Sequence, residues 1–185
     1  MKVTQTGIPD VLMIEPDIYT DARGFFMETW NHEKYMREGI PAKFVQDNLS
    51  FSRKNVLRGL HYQFPKGQDK LVWVLDGEVL DVAVDIRKDS ETFGGWVSVK
   101  LSSESRNQFF IPKGFAHGFY VLSETALLCY KCSDFYVPSA DRGIAWNDPD
   151  IGIVWPSGIP LLSPKDKNLP KLKGILPEFL PWSKG

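Results

Sequence analysis

The sequence predicts an all-β fold, a barrel or jelly roll with a few short peripheral helices, and three observations carry that expectation. Short runs rich in Val, Ile, Phe, Tyr and Trp recur at close spacing, separated by Gly, Pro, Asn and Asp. Aromatics make up 13% of the chain, with 6 Trp, which suits a β-rich core. Helix start and stop signals are confined to one stretch, with Asn31 capping HEKYMREG and Gly39 then Pro41 closing it.

Taken in order, VLMIEP reads as a first strand, followed by the helix. The clearest element is KLVWVL-DG-EVLDVAVDIR, where Asp76-Gly77 suits a two-residue hairpin turn that needs φ > 0. Leu71 to Leu75 are apolar throughout, as in a strand buried on both faces. After the turn Leu80, Val82, Val84 and Ile86 alternate with Asp81, Ala83 and Asp85, the period of a strand. WVSVKLS, NQFFIP, GFYVLS and ALLCYKCSDFY follow as further strands. From about Ile159 prolines recur and periodic signals fade, so the tail is expected to wrap the barrel, leaving residues 1–185 as one domain.

The apolar share of 43%, charged share of 24% and net charge of −1 are those of an ordinary globular chain with no global field for nucleic acid or a membrane surface. A polyanionic ligand would need locally clustered Arg and Lys. No run approaches the roughly 20 apolar residues of a membrane helix. The opening MKVTQTGIPD lacks a signal peptide's apolar core, which makes the cytoplasm the expected location. Cys129 and Cys132 form a C-x-x-C, but in a strand these positions face opposite sides, so both are expected to be small structural residues and not a redox or zinc pair.

The chain has 3 histidines. His32 falls in the polar start of the helix, where a solvated role is expected. His61 sits in Leu57-Arg58-Gly59-Leu60-His61-Tyr62-Gln63, and His117 in Pro112-Lys113-Gly114-Phe115-Ala116-His117-Gly118. A Gly-x-His before a hairpin, with Pro-x-Gly-x-x-His later, resembles the two motifs of the cupin superfamily, whose barrel places both around one cavity. Metal-binding cupins carry His-x-His and a Glu in the first motif. Here Gln63, a poor metal ligand, stands where the second His would be and no matched carboxylate accompanies it, so metal-free chemistry is expected; no organic cofactor is expected either. Read singly, Asp166 is a turn or cap residue, Tyr130 a strand tyrosine in the core, Arg23 and Arg58 solvated arginines, and Asp47-Asn48 turn chemistry. Lys70 divides evenly between a strand end at solvent and a placed cation.

Together, the segments DARGFFME, FVQDNLS, LRGLHYQ, GQDKLV, PKGFAHGF, YKC, WNDPDIGIVWP and LSPKD are similar to the dTDP-4-dehydrorhamnose 3,5-epimerase family, in family order over nearly the whole chain. The resemblance implies a substrate, dTDP-4-dehydro-6-deoxyglucose, whose C4 ketone acidifies C3 and C5. It implies His61 as base, Asp166 as the partner stabilising its imidazolium, Tyr130 as proton donor and Lys70 as the cation for O4. His117 would line the same cavity. Arg23 and Arg58 would grip the diphosphate. Glu28, Gln46, Asp47 and Asn48 would read thymine and ribose, and Phe26, Tyr136, Asp141 and Lys165 would contact substrate, Tyr136 by stacking on thymine. A homodimer, with part of the nucleotide site lent by the partner, is the family pattern. The same motifs suit a relative that inverts C3 only, or a non-catalytic nucleotide-sugar-binding cupin; His61, Asp166 and Tyr130 occurring together argue against the binding cupin, and the intact Tyr130 leans towards double epimerisation over inversion at C3 alone.

Overall fold

The structure is a computed structural model of the 185-residue chain and describes residues 1–41 and 43–183. The strands are β1 (Lys2–Gln5), β2 (Leu12–Glu15), β3 (Ile18–Asp21), β4 (Gly24–Met27), β5 (Gln46–Arg53), β6 (Leu57–Gln63), β7 (Lys70–Asp76), β8 (Glu78–Asp85), β9 (Trp96–Ser102), β10 (Gln108–Ile111), β11 (Phe115–Val121), β12 (Thr125–Cys132) and β13 (Asp141–Gly143). Two short helices join them, α1 (His32–Arg37) and α2 (Pro164–Lys167). A six-stranded sheet ordered β1-β2-β10-β7-β12-β5 faces a five-stranded sheet ordered β13-β6-β11-β8-β9, while β3 and β4 form a separate hairpin. The pairings between strands are antiparallel. This is the jelly-roll barrel that the strand spacing predicts.

The helix follows its signals. Asn31 Oδ1 accepts from Lys34 N at 3.2 Å, and Gly39, with φ of 84°, turns the chain out as Ile40 N donates to Tyr35 O. His32 departs from expectation. It is half-buried with its ring 6.2 Å from Trp30, because the helix is short and its first turn lies against that indole.

Asp76-Gly77 is not a hairpin turn. β7 pairs with β10 and β12, and β8 pairs with β11 and β9, so the dipeptide carries the chain from one sheet to the other. Gly77 is needed there for two reasons. Its φ is 84°, and a Cβ would stand 2.1 Å from Thr125 O. In β7, Leu71 to Val74 are buried, but Leu75 is 50% exposed as the strand leaves the core.

Three apolar clusters explain the burial. One fills the barrel between the sheets, with Val72, Val74, Val79, Ala83, Phe109, Phe115, Phe119 and Leu128. A second lies outside the five-stranded sheet, where Leu60, Val82, Val84 and Ile86 are covered by Ile144, Ile151, Leu172 and Leu180. A third lies outside the six-stranded sheet beneath α1, with Ile14, Tyr35, Ile40, Leu71 and Trp73. The burial of Leu172 and Leu180 contributes roughly 1.5–3 kcal/mol each. The tail therefore decides which half of the β8 alternation faces inward. Leu80, Val82 and Val84 look outward under the tail, and Asp81 and Asp85 turn into the barrel.

Candidate functional site

The barrel is open at one end, where a cavity of about 450 Å³ is lined by Arg58, His61, Lys70, His117, Phe119, Tyr130, Leu162, Lys165 and Asp166. A second hollow, of about 330 Å³, shares His61, Lys70, Tyr130 and Lys165 with it and adds Gln46, Asn48, Cys132, Tyr136 and Asp141. Both sheets contribute. β6 and β11 present His61 and His117, directly paired across the strands; β7 and β12 present Lys70 and Tyr130 from the facing sheet.

Two glycines permit the histidine pair. At Gly59, with φ of 126°, a Cβ would stand 2.6 Å from Gly118 Cα, and at Gly118 a Cβ would stand 2.6 Å from Arg58 O. The backbones of β6 and β11 close on each other there, and the register shifts between His117 and Phe119.

His61 Nε2 lies 2.6 Å from Asp166 Oδ1, with Asp166 4% exposed. Asp166 is placed by α2, whose cap Ser163 accepts from the Asp166 N–H. Burial alone would raise the Asp166 carboxyl, but its bond to His61 leaves it below its ordinary value. Tyr130 is the reverse case, because burial and then Cys132 push its phenol up and keep it protonated. Burial pulls the Lys70 ammonium down, opposed by Cys132, Asp81 and Asp141. Among the described residues Lys70 makes no hydrogen bond, so its donors are free for a ligand.

At the mouth, Arg58 reaches from β6 to β5. Its Nε donates to Ser52 Oγ at 3.0 Å and its Nη2 to Phe51 O at 3.2 Å, which fixes the fork with donors to spare. On β5 alternation decides who faces inward. Gln46 and Asn48 bond each other at 2.9 Å inside, whereas Asp47 points outward to Lys131 at 2.8 Å. Tyr136 and Lys165 both donate to Asp141 Oδ2. Those two bonds outweigh burial and hold the Asp141 carboxyl below its ordinary value.

Four expected ligand contacts lie away from the cavity in the single chain. Arg23 and Phe26 belong to the exposed β3–β4 hairpin, with Arg23 tied to Asp21, and Glu28 follows it, bonded to Asn31 and Lys34. Asp47 likewise turns away from the cavity. The strand reading of Cys129 and Cys132 agrees with the structure: Cys132 lines the second hollow, Cys129 packs on the outer cluster, and both are free thiols. Among the described residues no three His, Cys, Asp or Glu side chains converge as metal ligands.

Sequence reasoning missed several contributors. Asp81, fully buried, binds His117 Nε2 at 2.8 Å. Gln63 spends its amide on Lys66 O, Phe135 O and Val137 N, bracing the loop that carries Tyr136. Ser50 lines the cavity with its hydroxyl buried and, among the described residues, unpartnered. The polar alternation of residues 46–53 was the signal for the last of these.

A jelly-roll barrel whose two cupin motifs meet at one open end, with histidines on one wall and a tyrosine and lysine on the other, defines the cupin class, in its epimerase form. The family model for dTDP-4-dehydrorhamnose 3,5-epimerase matches residues 5–174. The chain belongs to that family. It is 56% identical over 171 residues to the dTDP-4-dehydrorhamnose 3,5-epimerase of Shigella flexneri, covering 91% of this chain and 94% of that protein. It is 51% identical over 175 residues to the protein of that name from Methanothermobacter thermautotrophicus, covering 93% and 95%. A crystal structure of the Legionella pneumophila dTDP-6-deoxy-D-glucose-3,5-epimerase in complex with dTDP-4-keto-L-rhamnose superimposes with a TM-score of 0.96, at 52% identity over 100% of this chain and 99% of that one.

Proposed function

We infer that the protein is an isomerase, a dTDP-4-dehydro-6-deoxy-D-glucose 3,5-epimerase that yields dTDP-4-dehydro-L-rhamnose for dTDP-L-rhamnose synthesis. The observation that carries the reading is the placement of an imidazole–carboxylate pair and a protonated phenol on facing sheets around one cavity. Epimerisation needs a base on one face of the sugar and an acid on the other, and a barrel's two sheets supply two faces.

His61 takes the proton from C3 or C5, each α to the C4 ketone, and Asp166 stabilises the imidazolium so formed. The electron pair moves to O4, where Lys70 meets the negative charge. Tyr130 returns a proton from the opposite wall, and solvent restores both groups. Arg58 and Lys165 hold the diphosphate, while Gln46, Asn48 and Tyr136 take the nucleoside. No metal or organic cofactor enters this sequence of steps.

The finer reading is a homodimer working in the cytoplasm. The outer face of β5 leaves Leu49 62% and Phe51 58% exposed, an apolar stripe on a sheet edge that a second copy would cover. The hairpin, with Phe25 and Phe26 exposed, would then reach the partner's cavity and bring Arg23, Phe26 and Glu28 to the nucleotide. Incubation with dTDP-4-dehydro-6-deoxyglucose in D₂O tests the function. Loss of both the C3 and C5 proton signals by NMR, with the rhamnose-configured product, is expected. Loss at C3 alone would replace the reading with a 3-epimerase, and no exchange would sink it.

A further inference from the structure

A third hollow, of about 340 Å³, lies on the outer side of the five-stranded sheet, between β13 and the C-terminal tail. Tyr62, Arg142, Leu169, Ile175, Leu176 and Phe179 line it. Strand alternation separates it from the barrel. In the β6–β13 pair Asp141 and Gly143 stand opposite Gln63 and His61, which face inward, and Arg142 stands opposite Tyr62 on the outer side. The far wall comes from residues 175–183, beyond the stretch that the family model matches. That wall is fixed in place. Lys88 N donates to Pro181 O and its Nζ to Pro177 O, each at 3.0 Å, Nζ lies 4.0 Å from the Trp182 ring centre, and Leu180 is buried. Phe179 is held from both sides, so the hollow is formed in the folded chain.

Its charge is unbalanced. Arg142 lies over the Phe179 ring at 4.4 Å, its Nε is shut off from water, and among the described residues no hydrogen bond or ion pair engages its guanidinium. Asp141 also borders the hollow, but its Oδ2 accepts from Tyr136 and Lys165, which line the substrate side. Tyr62 is the other titratable group there. Burial pushes its phenol up to about 12, so it is a neutral donor, and its one bond, to Phe179 O, is long at 3.4 Å. A partly desolvated cation without a counter-charge costs free energy that an anion offsets, and the planar guanidinium fork matches a carboxylate. Beside it Leu176 and Phe179, 56% and 37% exposed, offer apolar surface to a ring. We propose that this hollow is a second ligand site, which takes a small aromatic carboxylate with its anionic end on Arg142 and its ring against Ile175, Leu176 and Phe179. The site is separate from the substrate cavity and does not depend on the epimerase reading.

The test is a titration of the whole protein, methyl-labelled at Ile and Leu, with 3-phenylpropionate and, in parallel, with its neutral counterpart 3-phenylpropan-1-ol. Saturable NMR shifts centred on Leu169, Ile175 and Leu176 are expected, with the acid binding at least about tenfold more tightly than the alcohol, the scale of one charge-assisted pair. Arg142→Leu should remove that preference and leave the two probes equal. Equal affinities in the wild type would overturn the proposal, since the hollow would then be apolar surface only. Shifts centred on Leu162, which lines the substrate cavity, or no saturable shift into the millimolar range, would overturn it too. Should Arg142→Leu not fold, the comparison of acid with alcohol in the wild type decides alone.

Discussion

Asp81 and Asp85 occupy the same face of β8, are both fully buried, and do opposite things. Asp85 is saturated. Arg87 donates through its backbone N–H and Nε at 2.9 Å each and through Nη2 at 2.7 Å, while Ser90 and Thr92 add hydroxyls at 2.7 and 2.6 Å. Arg87 in turn bonds Asp10 and lies over the Phe115 ring at 4.6 Å, sealing that end of the barrel. Among the described residues Asp81 has one bond and an oxygen without a partner, at the end that opens to the cavity. A buried carboxylate whose hydrogen bonds are complete has its work done in the folded chain. One left incomplete still has charge to share with whatever enters.

The comparison breaks most sharply through catalysis at the open end. His61→Asn should lower kcat by about 10³–10⁴-fold, as loss of a general base does, while the urea midpoint stays close to wild type. A large stability loss instead would make His61 part of the frame.

At the closed end the effects should exchange. Asp85→Asn should destabilise the protein by about 2–4 kcal/mol in urea titrations, because it breaks a buried charge network, yet leave kcat of the folded enzyme within about twofold. Burial would raise the Asp85 carboxyl, but its bonds to Arg87, Thr92 and Ser90 hold it below its ordinary value. Its stabilising contribution is therefore complete above the ordinary carboxylate value and is lost as pH falls through the lower, folded one. Acid unfolding of Asp85→Asn should accordingly be shallower than that of wild type. For Asp81 the sign is reversed. Burial raises that carboxyl, so its ionised form costs stability near neutral pH and the cost vanishes as pH falls. Asp81→Asn should thus keep or raise the urea midpoint.

The seam between the ends should give the smallest effect and a mixed one. Gly118→Ala would push a methyl against Arg58 O and Leu60, costing about 1–3 kcal/mol and displacing the two histidines together. Equal loss of stability and kcat would agree with that; unchanged kcat would show that the glycine contact does not position them.

Much of this was legible in the chain, and the failures share a cause. The barrel, α1 with its Asn31 cap and the opposed faces of Cys129 and Cys132 follow from local period and turn chemistry. The Asp76-Gly77 hairpin failed because β7 pairs with β10 and β12 in one sheet while β8 pairs with β11 and β9 in the other, a sheet crossing that no local pattern records. Asp81 was read only as the polar half of an alternation. The tail that covers the outer side of β8 has little period of its own, so which half faced inward was invisible. Asp166 lies 105 residues from His61, and only the family motif linked them before the fold did. Arg23, Phe26 and Glu28 carry the same motif signal, but in this structure they lie on and beside the exposed β3–β4 hairpin, away from the cavity.

The central claim is that proton removal and proton return occur on facing walls, and Tyr130→Phe in D₂O tests it most directly. This variant should still exchange the C3 proton through His61 while forming little inverted product, since the base remains and the opposite acid is gone. Full inversion by Tyr130→Phe at the wild-type rate would contradict the account.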